Sequence, residues 1–233
     1  MNTEKVAIIT GASRGIGREV ARGLAKKGYQ LVLIARNQEK LIELQHEIKK
    51  FSVHSELIAG DITKFATISK ELDLILQKWG RCDVLVNNAG IFIDGTLNAS
   101  LEDYQQIFDT NFRAQLNFIK TVIPCMQNQG NGYIFNIASI AGKVGYPGIA
   151  AYTASKFALV GLSESLHAEY SSQGIKVTSI CPDWVATDMA SGAPIPENEM
   201  IQAKDISRII HGLLDLSSAA FIREVVIELA RKS

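Results

Sequence analysis

The sequence predicts one α/β domain with a parallel sheet covered by helices on both faces, and two observations support this. Short apolar runs alternate along the 233 residues with longer segments whose apolar positions recur at helical spacing. The runs are too continuously apolar to have a solvent-facing side, which is typical of parallel strands buried on both faces. Because no linker, repeat or low-complexity tract interrupts the pattern, we predict a single domain over residues 1–233.

Seven strands and six helices can be placed along the chain. The predicted strands are residues 6–9, 31–35, 56–59, 84–86, 133–138, 176–180 and 224–229. The predicted helices are residues 16–27, 38–50, 67–79, 101–126, 151–170 and 205–216. A Pro-containing stretch at about 187–199 interrupts the connection after the sixth strand, and we interpret it as a mobile substrate loop.

The composition argues against several classes of partner. The 24 basic and 24 acidic residues cancel, so charge gives no support for nucleic acid or an anionic membrane as partner. The three cysteines have neither zinc-site spacing nor the even count of a disulfide framework, and the four histidines share no metal-site spacing. We see no signal peptide and no apolar run of roughly 18 residues, so we expect a cytoplasmic protein without a membrane partner or metal.

A glycine-rich turn, Thr10-Gly-Ala-Ser-Arg-Gly-Ile-Gly17, joins the first predicted strand to the first predicted helix. Glycines there permit a tight turn and let backbone N–H groups approach a pyrophosphate at the positive end of a helix. The spacing G-x-x-x-G-x-G differs from the usual dinucleotide fingerprint, and a plain helix cap is the alternative. The strand before the turn and the helix after it favour a dinucleotide site.

The end of the second predicted strand indicates which dinucleotide binds. NAD-binding sites usually place an acidic residue there to hold the ribose 2′-hydroxyl. This strand ends at Arg36, and the next carboxylate, Glu39, falls inside the following helix. A guanidinium suits a 2′-phosphate, and Arg14 in the glycine turn could reach the same group, so we predict NADP(H).

Three residues have the chemistry to move a proton at a substrate oxygen. Tyr152 and Lys156 lie one helical turn apart, and Ser139 closes a predicted strand at its carboxyl end. A free tyrosine has a pKa of about 10, and an ammonium at i+4 favours its phenolate form. The tyrosine would then serve as an acid or base near neutral pH. A surface Tyr–Lys pair is the alternative for this spacing alone.

Together these motifs resemble the short-chain dehydrogenase/reductase family almost from end to end. Residues 10–17 resemble its cofactor loop, Asp61 falls where the family contacts the adenine, and Asn87-Asn-Ala-Gly90 closes the fourth strand. The resemblance implies a Rossmann-like domain with its seven strands in the order 3-2-1-4-5-6-7. It also implies a catalytic tetrad formed by Asn111, Ser139, Tyr152 and Lys156.

In that family Ser139 would polarise the carbonyl oxygen and Tyr152 would exchange the proton. Lys156 would favour the tyrosinate and hold the nicotinamide ribose, and Asn111 would position a water that links Lys156 to solvent. The expected cofactor-binding residues are Gly11, Ser13, Arg14, Gly15, Ile16, Gly17, Arg36, Asp61, Ile62, Asn88, Ala89, Gly90, Tyr152, Lys156, Pro182, Val185 and Thr187.

Two departures from the family bear on the substrate. Asp183 stands where the family usually has glycine, so Asp183 or Trp184 either shapes the substrate site or simply faces solvent. The chain also ends without the Asp-Gly-Gly turn of many acyl-carrier-protein thioester reductases. Candidate pocket walls are mostly apolar or aromatic, and they are Ile91, Phe92, Ile140, Ala141, Tyr146, Ile149, Trp184 and Met189. A small or medium apolar or aromatic carbonyl or alcohol is therefore the expected substrate.

Three functions remain open. The first is an NADPH-dependent carbonyl reductase, or the reverse dehydrogenase. The second is a 3-oxoacyl-[acyl-carrier-protein] reductase, for which only Arg113, Lys120 and Lys143 offer a basic patch. The third is a non-catalytic NADP(H)-binding regulator. Because helices 101–126 and 151–170 carry apolar residues on more than one side, we also predict a homodimer or homotetramer through them.

Overall fold

The computed structural model describes residues 4–230, in which strands and helices alternate. The strands are β1 (Val6–Thr10), β2 (Gln30–Ala35), β3 (Ser55–Ala59), β4 (Val84–Asn87), β5 (Gly132–Ile137), β6 (Ile175–Pro182), β7 (Val185–Ala186), β8 (Ile201–Gln202) and β9 (Glu224–Ile227). The helices are α1 (Gly15–Lys26), α2 (Gln38–Ile48), α3 (Phe65–Trp79), α4 (Leu101–Phe108), α5 (Ala114–Gln129), α6 (Ala150–Tyr170) and α7 (Ala203–Leu214).

Seven strands form one parallel sheet in the order β3-β2-β1-β4-β5-β6-β9. This order confirms the one implied by the sequence, with β9 as the seventh strand. Strands β1, β2, β4 and β5 are buried at every position, which explains why their sequences do not alternate between apolar and polar residues. The carboxyl ends of these strands meet at one edge of the sheet, where ligands bind in open α/β folds.

The helices cover the sheet in two layers. On one face α1, α2 and α7 pack over the sheet through residues such as Leu24, Leu41 and Ile210. On the other face α3 and α5 pack through residues such as Leu72 and Phe118. Both layers are apolar along the inward stripe of each helix, so the fold is the doubly wound, Rossmann-like one that the sequence predicts.

The long helix predicted at residues 101–126 is not continuous. It is divided into α4 and α5 by a π-helical turn, Asp109–Arg113. The prediction missed this turn because apolar residues continue on both sides of it, and one extra residue in a turn hardly disturbs the pattern. Such π turns frequently occur at functional sites, and Asn111 lies at the centre of this one.

The stretch predicted as a loop at about 187–199 contains two short 3₁₀ turns, Asp188–Ala190 and Glu197–Glu199. On either side of it β7 and β8 pair with each other in parallel and outside the main sheet. Two-residue strands carry no recognisable periodicity, so the sequence did not predict them. Within residues 4–230 no helix is long and apolar enough to cross a membrane.

Candidate active site

A cavity of about 780 Å³ opens at the carboxyl ends of the central strands. Every residue predicted to bind the cofactor lines it except Gly17, and so do three of the four predicted catalytic residues. The fourth, Asn111, lies completely buried behind the cavity wall. All eight side chains predicted as substrate-pocket walls also line the cavity. The fold therefore brings the predicted site residues together at one place.

The glycine turn forms one end of the cavity. Gly11 and Gly15 adopt positive φ angles of 66° and 53°, which L side chains rarely adopt. A Cβ on Gly17 would lie 2.4 Å from the carbonyl oxygen of Gly11, so at this position glycine permits close packing of α1 against the turn. The Asn88 amide fixes the turn to the end of β4, because its Nδ2 donates to the oxygens of Thr10 at 2.9 Å and Gly11 at 3.2 Å.

The N-terminus of α1 faces this turn without a side-chain cap in the described part of the chain. The first backbone N–H groups of a helix have no intrahelical acceptor, and here no described side chain replaces it. Together with the helix dipole, these N–H groups make a favourable position for an anion. These features fit the pyrophosphate of a dinucleotide. The fit rests on the uncapped helix and on glycines that keep side chains away from it.

Beside the glycine turn, the part of the cavity beyond β2 and β3 contains Arg36, Lys40, Asp61 and Thr63. Asp61 accepts hydrogen bonds from the backbone N–H of Thr63 at 2.9 Å and from its hydroxyl at 2.8 Å. The Thr63 N–H bond is the largest cause of a lowered pKa for Asp61, and the Arg36 charge lowers it further. No hydrogen bond or ion pair to another described residue engages the exposed Arg36 guanidinium. A ligand phosphate could therefore bind it directly.

Arg14, which the sequence suggests could reach the same phosphate as Arg36, has a protein partner in the structure. Its guanidinium forms an ion pair with Asp188 at 2.6 Å. Both side chains are more than half exposed, so the contact is worth at most about 1 kcal/mol. The pair nevertheless connects the glycine turn to the start of the predicted substrate loop.

Asn111 holds the segment that follows β4. Its Oδ1 accepts from the N–H of Ile91 at 2.8 Å, and its Nδ2 donates to the carbonyl oxygen of Ile91 at 2.9 Å and to Ser155 Oγ at 3.2 Å. A Cβ built on Gly90 would lie 3.2 Å from Asn111 Oδ1 and 3.8 Å from Lys156 Nζ. The Asn111 side chain therefore lies close to the Lys156 ammonium, and its hydrogen bonds fix the cavity wall at Ile91.

Ser139, Tyr152 and Lys156 form a compact group at the other end of the cavity. Ser139 lies just after the end of β5, and its Oγ accepts a hydrogen bond from the N–H of Ala141 at 3.1 Å. The neighbouring Ser139 side chain acts to lower the pKa of the Tyr152 phenol. Lys156 Nζ donates to the carbonyl oxygen of Ile137 at 2.9 Å and lies 5.5 Å from the centroid of the Tyr152 ring.

Burial dominates the charge states of this group. It raises the pKa of Tyr152 and outweighs the opposite, smaller effect of Ser139. It also lowers the pKa of Lys156 to about 8, since an ammonium is poorly solvated there. The sequence argument that the neighbouring ammonium brings the tyrosine pKa down is therefore wrong, because burial is the larger effect. At neutral pH Tyr152 holds its proton, which is the form that can donate it.

The mouth of the cavity beside Tyr152 is aromatic. The Phe92 ring packs edge-to-face against the Tyr152 ring with centroids 5.2 Å apart. Phe92, Tyr146, Trp184 and Met189 all line the cavity while 36–46% of each residue remains exposed. Exposed apolar side chains gathered around a concave site favour an apolar or ring-bearing ligand.

Asp183 also lines the cavity, and its role is partly local. One carboxylate oxygen accepts from the N–H of Trp184 at 2.9 Å, while the Asp183 N–H donates to Ile227 of β9. The residue therefore fixes the turn that presents the Trp184 ring. Its position in the cavity wall favours the interpretation that it shapes the site over one in which it simply faces solvent.

Sequence reasoning missed several residues of the site. Lys40, Thr63, Gln106 and Thr110 line the cavity without having been predicted. Lys40 could have been found, because it lies one helical turn after Arg36 in the first turn of α2. Gln106 and Thr110 line the cavity from α4 and from the π-helical turn, and no sequence pattern indicated this position. Across residues 4–230 no cluster of His, Cys, Asp and Glu side chains could hold a metal ion.

Comparison with known proteins identifies relatives of the whole fold. The family model for short chain dehydrogenase matches residues 5–197. A 3-oxoacyl-[acyl-carrier-protein] reductase of Staphylococcus epidermidis is 37% identical over 189 residues, covering 80% of this chain and 78% of that protein. The crystal structure of a β-ketoacyl-[ACP] reductase from Bacteroides thetaiotaomicron is 41% identical with a TM-score of 0.86, covering 98% of each chain.

A third relative carries a ligand. The alcohol dehydrogenase of the archaeon Thermococcus sibiricus, solved with 5-hydroxy-NADP, is 26% identical with a TM-score of 0.90 and covers 99% of this chain and 98% of its own. The match of the family model, the sheet order and the likeness to these proteins agree with one another. This chain belongs to the short-chain dehydrogenase family of oxidoreductases.

Proposed function

We propose that this protein is an NADPH-dependent oxidoreductase that reduces an aldehyde or ketone to an alcohol, or catalyses the reverse reaction. The observation that carries the proposal is the group formed by Ser139, Tyr152 and Lys156, which line the same cavity as the glycine turn, with Lys156 Nζ 5.5 Å from the centroid of the Tyr152 ring. A dinucleotide bound at the glycine turn would bring hydride to the end of the cavity where these proton-transfer groups lie.

NADP(H) is the cofactor that these residues fit best. The uncapped N-terminus of α1 suits the pyrophosphate, and the unpaired Arg36 guanidinium suits a 2′-phosphate. Asp61 and Ile62 would then flank the adenine, while Tyr152, Lys156 and Thr187, which line the same cavity, would contact the nicotinamide half of the cofactor. The Thermococcus alcohol dehydrogenase bound to 5-hydroxy-NADP supports this choice by similarity.

Each polar residue then has a role that its surroundings permit. Ser139 donates a hydrogen bond to the carbonyl oxygen of the substrate and holds it beside Tyr152. Tyr152, which is protonated at neutral pH, delivers its proton to that oxygen as the alcohol forms. Lys156 stabilises the resulting phenolate, and Asn111 fixes the wall next to Lys156.

The aromatic mouth supports an apolar or aromatic substrate of small or medium size. A 3-oxoacyl thioester is the second candidate, favoured by the likeness to two acyl-carrier-protein reductases. That reaction needs a basic surface for an acidic carrier. Two of the three candidate bases already form ion pairs, Arg113 with Asp109 and Lys143 with Glu224, so the surface is weaker than the sequence suggests.

A screen of NADPH oxidation against aldehydes, ketones, quinones and 3-oxoacyl thioesters tests the proposal. Turnover of apolar ketones or aldehydes at a kcat/KM above that of the thioesters is the expected result. A preference for the thioesters would select the second candidate. If the protein binds NADPH but turns over no compound in either direction, the proposed activity is contradicted. The non-catalytic NADP(H)-binding regulator would then be the remaining function.

The cofactor assignment predicts a selective effect at Arg36. Replacing Arg36 by glutamine should lower kcat/KM for NADPH about 10- to 100-fold, because a hydrogen bond to a charged phosphate is worth about 1.5–3 kcal/mol. The value for NADH should stay within about twofold. Arg113→Gln is the matched control, since it removes an exposed arginine of the π-helical turn and should change neither value. An equal loss with both cofactors would refute the assignment.

We also propose that the chain forms a homodimer or homotetramer through residues 101–126 and 151–170. Leu101 and Phe157 support this, since they stay 83% and 45% exposed on α4 and α6 despite their apolar character. Phe118 and Leu159 on the neighbouring α5 and on α6 lie in the core and are not available for this contact. Light scattering should give a mass well above 25.5 kDa at micromolar concentration, and a monomer would contradict the proposal.

A further inference from the structure

Gln115 is a buried polar side chain that the proposed mechanism has not used. It lies in the first turn of α5, directly after the π-helical turn, and it is 1% exposed. Its Nε2 donates a hydrogen bond to the carbonyl oxygen of Ala89 and lies within 3.4 Å of the carbonyl oxygen of Thr110. A glutamine with its amide in the interior would be poorly stable without such partners.

The two carbonyls belong to the two segments that Asn111 also connects. Ala89 precedes Gly90 and Ile91 in the wall after β4, and Thr110 precedes Asn111 in the π-helical turn. The Asn111 side chain binds both backbone groups of Ile91. Two side chains, Asn111 at the centre of the π-helical turn and Gln115 just after it, therefore hold the same wall.

The backbone of Gln115 is fixed as well. Its carbonyl oxygen accepts from Asn87 Nδ2 at 3.3 Å, and the same nitrogen donates to Asn136 Oδ1 on β5 at 2.9 Å. Asn136 in turn donates to Ser163 Oγ on α6 at 2.8 Å. Gln115 thus sits at the end of a buried polar network that joins β4, β5, α5 and α6.

We infer that Gln115 is a positioning residue for the proposed reaction. Its amide fixes the distance between the wall after β4 and the π-helical turn, and so it sets where Asn111 lies relative to Gly90 and Lys156. The inference rests on the proposed function for its effect on turnover. Its effect on the wall itself depends only on the contacts described above.

The variant Gln115→Met tests the inference because it keeps the length of the side chain and removes the donor. We expect kcat to fall about 10- to 100-fold, since a small misplacement near the reacting groups has effects of this size. KM for the carbonyl substrate should change by less than about threefold, because Gln115 does not line the cavity. The pH profile of kcat should also shift, because the surroundings of Lys156 change.

Ser163→Ala is the matched control. Ser163 is equally buried at 1% and belongs to the same polar network, but it contacts neither the wall nor the π-helical turn. It should lower the melting temperature and leave kcat and its pH profile unchanged. If Gln115→Met likewise lowers only the melting temperature, Gln115 is structural and the inference is wrong.

A second measurement separates this inference from the proposed function. Hydrogen exchange of the Ile91 amide, which donates to Asn111 Oδ1, reports on the wall without any turnover. Gln115→Met should accelerate exchange in peptides covering residues 89–91 and 109–113, and Ser163→Ala should not. Unchanged exchange in these peptides would overturn the inference even if the wild-type protein proved to be a reductase.

Discussion

Replacing Tyr152 by phenylalanine is expected to lower kcat/KM for carbonyl reduction by about 10²–10⁴-fold, the usual contribution of general acid–base catalysis. The phenol is the group beside Ser139 that can give a proton to a substrate oxygen at neutral pH. Lys156 cannot substitute for it, because its ammonium is held at the carbonyl oxygen of Ile137. Steady-state rates at saturating NADPH measure the effect.

The substitution should leave the site otherwise intact. The ring keeps its edge-to-face contact with Phe92, and only the hydroxyl is lost. We therefore expect the Kd for NADPH, measured by fluorescence, to change by less than about threefold, and the melting temperature to stay the same or rise. A loss of rate without a loss of cofactor binding identifies the chemical step as the one affected.

Tyr133→Phe provides the matched control. Tyr133 is a buried tyrosine on β5 whose hydroxyl pairs with Thr178 at 2.9 Å, and it does not line the cavity. Its removal should cost about 1 kcal/mol of stability and leave turnover unchanged. Should Tyr152→Phe keep more than a tenth of the wild-type kcat/KM, the acid–base role assigned to Tyr152 would be wrong.

The sequence predicted the sheet and the clustering of the site for a clear physical reason. Strands buried on both faces and helices with one apolar stripe have distinct patterns that survive in a single sequence. Parallel strands then bring their carboxyl ends to one edge, so Gly11, Asn88 and Ser139 meet even though they are far apart along the chain.

Other features depend on tertiary structure and could not be predicted. The ion pair between Arg14 and Asp188 joins residues 174 positions apart, and no local pattern reveals such a partner. The π-helical turn that carries Asn111 keeps the apolar spacing of an ordinary helix. The spacing predicts a lowered pKa for Tyr152, but it shows only that Lys156 is near and not that both side chains are buried, and burial is the larger effect on both pKa values.

Replacing Lys156 by methionine is expected to abolish most turnover and, at the same time, to stabilise the fold. Lys156 is 5% exposed, and burial lowers its pKa from 10.5 to about 8. Below pH 8 the folded protein therefore contains a protonated amine in surroundings that disfavour its charge. Each pKa unit of the shift corresponds to about 1.4 kcal/mol, and methionine fills a similar volume without charge.

The sign of the pH dependence follows from the two pKa values. Between about pH 8 and 10.5 the unfolded state binds more protons at Lys156 than the folded state does, so wild-type stability should rise with pH across this window. As the pH falls across this window, the same contribution to the free energy of unfolding is lost, and the loss is complete at about pH 8. Lys156→Met lacks this dependence, so its advantage should be largest below pH 8, at about 1–3 kcal/mol after the lost bond to Ile137 is subtracted.

Chemical denaturation of both proteins at pH 7 and at pH 10 measures this difference, and kcat/KM at pH 7 measures the activity. Lys120→Met serves as the control, because Lys120 is exposed on α5 and should change neither property. If Lys156→Met were less stable than wild type at pH 7, its ammonium would have to be well paired in the folded protein. The expected outcome is instead that of a functional residue held in place at the expense of stability, since the charge that burial disfavours at Lys156 is the one that would stabilise the Tyr152 phenolate during turnover.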